Sequence, residues 1–92
     1  MSATLVLPAR LDLTVARTLT RSLRDRAGAP LALDASQVEL LGGLGLQVLL
    51  AAAREWGRRG ARLTLAARSE AFDAALAQFG VSPRQLESGG DE

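Results

Sequence analysis

The sequence predicts a small α/β domain with a mostly parallel sheet of about four strands and three to four helices. Two observations carry this expectation. Strand-length apolar runs at 3–9, 30–35 and 61–67 alternate with stretches whose apolar residues recur at helical spacing. In addition, the run at 30–35 is apolar on both faces, the pattern of a central strand covered by helices. The chain has 92 residues, 48% of them hydrophobic, enough for one core and short of two domains.

The elements follow in order. Residues 3–9 read as a strand ended by Pro8. Asp12 and Thr14 are both suitable N-caps for a helix over about 13–26. Val15, Ala16, Leu19 and Leu23 form its apolar row, Arg17, Arg21, Arg24 and Asp25 its polar face, and Gly28 and Pro30 stop it. A strand at 30–35 comes next, then a connection through Val38, Leu40 and Leu41. The glycines of Gly42-Gly43-Leu44-Gly45 mark a tight turn that opens a long helix to about Arg58. Its buried row is Val48, Leu49, Ala52 and Trp56, helped by Leu46, Leu50 and Ala53, and Gly60 ends it. After the strand at 61–67, Ser69 caps a third helix that turns Phe72, Ala75, Leu76 and Phe79 to the core. Gly80 is a suitable residue beyond its end, Pro83 to Leu86 form one more short turn, and residues 88–92 read as a disordered tail. The domain itself spans 1–87.

Composition excludes most chemistry. Without His or Cys there is no Ser-His-Asp triad, no thiol nucleophile and no ordinary zinc site. The acidic residues are scattered, so neither a metal nor a cofactor is expected. Eleven basic residues, all Arg, face ten acidic ones, and a net charge of +1 lacks the excess of a nucleic-acid binder. No apolar run reaches the length of a membrane span, and the start lacks the basic region of a secretory signal. The absence of Cys suits a reducing compartment, so a cytoplasmic location and a non-enzymatic role are expected.

Gly43-Leu44-Gly45-Leu46-Gln47-Val48 half-matches a dinucleotide fingerprint. It has Val48 where Gly or Ala is needed for close helix–strand packing, and no acidic residue ends the next strand. The glycines instead leave the backbone N–H groups of the helix start open to close approach, or serve only the turn.

The run Leu5-Val6-Leu7-Pro8-Ala9-Arg10-Leu11-Asp12, then Leu33-Asp34-Ala35-Ser36-Gln37-Val38, then Leu44-Gly45-Leu46 before a long helix, resembles the STAS domain of SpoIIAA-type anti-sigma factor antagonists. The resemblance covers about 4–86 and implies a STAS-like α/β sandwich. Asp34 matches the family's strand-end Asp, and Gly45-Leu46 match the Gly-Leu that opens its second helix. Switched members carry Asp-Ser-Ser-Gly or Asp-Ser-Thr-Gly at the turn, the first Ser being the phospho-acceptor. Here Gly42, Gly43 and Leu44 replace those three residues, and a glycine accepts no phosphate. Family members also begin with an additional strand for which Met1 to Thr4 leaves little room, so an exposed edge open to homodimer pairing is expected.

The resemblance implies a constitutive binding module. The partner would be an anti-sigma factor or a histidine-kinase-like protein, in a circuit regulating transcription or, since a Gly-Gly turn resembles STAS proteins that accompany chemotaxis signalling, in a chemotaxis-linked one. The alternative is an accessory subunit of an ABC-type phospholipid transporter that binds its ATPase. The expected partner surface is Asp34, Ser36, Gly42, Gly43, Leu44 and Gln47. Leu44 is either an exposed anchor or an inward staple.

Overall fold

In the computed structural model, residues 3–89 are described. The order is β1 Ala3–Val6, β2 Arg10–Leu11, α1 Leu13–Asp25, β3 Leu31–Ala35, β4 Leu40–Leu41, α2 Gly43–Arg58, β5 Leu63–Arg68, α3 Glu70–Phe79 and a 3-10 turn at Pro83–Leu86. The fold is a compact α/β arrangement of three helices and parallel strands. The strands divide differently from the single sheet of about four that was expected. β1, β3 and β5 form a parallel sheet in the order β1-β3-β5, and β2 and β4 form a separate parallel ladder of two residues each.

β3 is central, as its apolar run requires. Leu31, Leu33 and Ala35 are buried, and in register with them lie the buried Leu63 and Leu65 of β5 and the half-buried Leu5 of β1. The opposite face of β3, Ala32 and Asp34, is only half-buried, so one sheet face carries the core and the expected cover on both faces is incomplete. Each fully buried leucine contributes about 1.5–3 kcal/mol.

Of the two candidate caps, the structure uses Asp12. Its carboxylate accepts from the Thr14 N–H at 3.0 Å and the Thr14 hydroxyl at 2.6 Å. α1 buries Leu19 and Leu23, with Val15 and Ala16 half-buried. α2 buries Leu46, Leu49, Ala52, Ala53 and Trp56, while Val48 and Leu50 sit at the margin. Trp56 is 1% exposed, and its indole N–H donates to the Ala29 carbonyl at 2.8 Å, tying α2 to the loop before β3. Ser69 accepts from the Phe72 N–H and donates to the Val38 carbonyl at 2.5 Å, so one hydroxyl caps α3 and anchors the β3–β4 connection. Gly80, at φ 73°, ends α3 in the left-handed region, and Val81 N–H returns to the Leu76 carbonyl.

Two expectations need correcting. Phe79 is 47% exposed, because it stands at the last turn of α3, beyond the core row of Phe72 and Leu76. Ser88 is not loose: it exchanges two backbone hydrogen bonds with Leu63, at 2.9 and 3.0 Å, and the Glu87 carboxylate accepts from the Leu65 N–H at 2.8 Å. Residues 87–88 thereby cover the outer edge of β5, while β1 lies at the other edge of the sheet. The rest of the expected tail, beyond Gly89, lies outside the described residues.

Candidate functional site

The start of α2 is held by the small β2–β4 ladder. Ala9 carbonyl accepts from the Glu39 N–H at 2.7 Å and the Leu40 N–H at 3.0 Å, and Arg10 and Leu11 pair with Leu40 and Leu41. The Gly42 N–H then donates to the Leu11 carbonyl at 2.9 Å, and the Leu46 N–H closes the first helical turn on the Gly42 carbonyl at 3.0 Å.

Gly45 is where the packing demands a glycine. A Cβ there would stand 2.5 Å from the Leu11 carbonyl oxygen and 2.9 Å from Leu11 Cβ. The missing side chain lets α2 lie directly on β2. At Gly43 the situation is the reverse: a Cβ would meet no atom within 4 Å, and the backbone stays out of the left-handed region. Glycine at 43 is therefore dictated by neither packing nor dihedral angle.

The turn presents an uncapped, uncharged helix start. Gly42 caps α2 with no side-chain hydrogen bond, and no acidic residue occupies the first turn. The first N–H groups consequently keep their partial positive charge towards solvent. Gly43, Leu44 and Gln47 are exposed and Gly42 is half-buried. Leu44 is 47% exposed, so it is not an inward staple.

Asp34 and Ser36 lie at the end of β3 and bond to each other. The Asp34 carboxylate accepts from the Ser36 N–H at 2.9 Å. The Ser36 side chain, then its backbone N–H, hold the Asp34 carboxyl below its usual 3.8. Gly42, Gly43, Leu44 and Gln47 share the start of α2, and Asp34 and Ser36 form a local turn at the end of β3.

Several residues at this end of the molecule escaped the sequence reading. Leu11 supplies the carbonyl on which the turn rests. Leu13 and Leu40 add apolar surface, 71% and 40% exposed. Leu13 carried a legible signal, since helical spacing puts it well off the Leu19–Leu23 row. Leu40 carried none, because alternation cannot be read from a strand of two residues.

A family model described as Mlab, STAS domain, matches residues 1–86. The chain belongs to the STAS family. No curated protein matches it, and no solved structure does. In this STAS chain the turn at the start of α2 keeps the Gly-Leu pair that packing requires and carries no hydroxyl across positions 42–45. Among the described residues, no helix is long and apolar enough to cross a membrane.

Proposed function

We propose that this STAS domain is a non-enzymatic, permanently competent binding module. Its partner is an anti-sigma factor or a histidine-kinase-like signalling protein of a regulatory, chemotaxis-linked circuit, which docks on the start of α2. The observation that carries the reading is Gly43. The position is open, sterically free and without hydroxyl, so the site that a phosphate would close is left as bare backbone beside an exposed Leu44. A phosphate there would bring about −1.5 to −2 charge against the partner. Without it, binding depends on the concentrations of the two proteins alone.

Affinity capture with the full chain, followed by titration of the captured partner against wild type and Gly43→Asp, tests this. Asp at this position has room for its Cβ and suits a helix N-terminus electrostatically, so the variant folds. The partner then meets an unpaired charge in a surface that must desolvate. Binding weakened about tenfold or more supports the reading, and unchanged affinity removes the turn from the interface.

A second reading, an accessory subunit of an ABC-type phospholipid transporter that binds the ATPase, is favoured by one observation: the Mlab in the description of the matching family. Capture of a transporter ATPase in place of a signalling protein selects it.

A further inference from the structure

An open groove of about 680 Å³ runs between α1 and α2. Leu23, Val48, Ala52 and Trp56 contribute apolar lining, and Leu44 and Gln47 stand at the end where α2 begins. Thr20, Ala27 and Ala51 also line it, and such short side chains let a third helix approach to about 8 Å between axes.

Charge indicates what lies in it. Arg17, Arg21 and Arg24 are exposed and spaced four and three residues apart, so they form one stripe along α1, with Arg24 lining the groove. Among the described residues, none of the three makes an ion pair. Glu55, the acidic side chain that lines the groove, is already engaged by Arg58 and by Arg59, the latter at 2.7 Å. Like charges at this spacing oppose the helix that carries them, and an acidic partner turns that repulsion into attraction. A second copy in a two-fold arrangement would bring the same basic patch to both sides of the interface.

We infer that this groove takes an amphipathic helix of a partner protein, apolar along one face and acidic along its flanks. The inference rests on the binding-module reading and names the chemistry of the partner. Leu44 and Gln47 belong both to the turn and to the groove, so one partner helix would lie along α2 from its first turn.

The probe is a labelled helical peptide of about 16 residues, roughly 24 Å and so the length of α2, with leucines along one face and glutamates beside them. A second peptide carries lysine for every glutamate. Fluorescence anisotropy with the full chain should give the glutamate peptide at least about tenfold higher affinity, lost as salt rises to about 0.5 M. Arg21→Glu with Arg24→Glu should remove the preference. Ala51→Gln, an exposed change to a residue the helix tolerates well, fills the groove without adding charge and should weaken binding about tenfold. Equal affinity for the two peptides overturns the inference, as does binding that Ala51→Gln leaves intact. Binding of phosphatidylglycerol vesicles without binding of the glutamate peptide overturns it in favour of anionic lipid. Self-association abolished by Arg24→Glu overturns it in favour of a second copy. These failures concern the groove alone, whereas the turn fails on unchanged partner affinity of Gly43→Asp.

Discussion

Gly43 and Gly45 are two residues apart and carry opposite constraints. Gly45→Ala drives a methyl into the Leu11 carbonyl and should cost about 1–3 kcal/mol through overpacking, read as a lower denaturation midpoint. Gly43→Ala has free space and ordinary dihedral angles, and should gain about 0.4–1 kcal/mol by narrowing the unfolded ensemble. If both substitutions destabilise alike, the packing of α2 on β2 is misassigned. Trp56 gives a second test at this scale. Its burial predicts blue-shifted emission in the native state and a red shift in denaturant. Trp56→Phe leaves the Ala29 carbonyl without the indole donor and should cost about 1–3 kcal/mol. Water-like emission from the native protein would contradict the placement of α2.

Among the elements, the helices depend on caps that respond to different conditions. The Thr14 hydroxyl is the main cause of the Asp12 carboxyl lying below its usual 3.8; burial opposes it, and the Thr14 N–H and Arg10 add smaller lowering contributions. A carboxyl lowered in the folded state stabilises the fold fully above its unfolded value and loses that contribution as pH falls through its folded one. The denaturation midpoint should therefore drop on acidification below about pH 4, and less steeply in Asp12→Asn, which still caps but does not titrate. The cap of α3 does not titrate in this range. Ser69→Ala should cost about 1–2 kcal/mol at every pH, since it removes both the cap and the anchor to Val38. The bounds of α1, the Ser69 cap, the Gly80 stop and the central β3 were legible because each rests on a local signal: periodicity, a capping residue, a left-handed glycine, an apolar run. The β2–β4 ladder was not, because two paired residues leave no period and their pairing joins positions 30 apart. Ser88 failed for a related reason, since a Ser-Gly-Gly stretch reads as loose until a β5 edge is there to pair with it. At the site, the missing hydroxyl was plain in the sequence, but the crowding of Gly45 depends on where Leu11 lies, and the freedom of Gly43 and the exposure of Leu44 on how α2 packs.

At the scale of the whole molecule, the proposed docking surface is the α2 start, with the groove and the basic stripe of α1 beside it, and the turn offers no acceptor for a phosphate. Incubation with a kinase of the same circuit and ATP should leave the intact mass unchanged. A phosphate mapped to the exposed Ser36 would mean that the switch has moved to the end of β3. The central claim, that bare backbone at the start of α2 is the permanently open docking surface, is tested most directly by the ratio of partner dissociation constants for Gly43→Asp and wild type. Both proteins are first matched for Trp56 emission and denaturation midpoint. The account predicts equal folding and a ratio of about ten or more. A ratio of about one between equally folded proteins would contradict it.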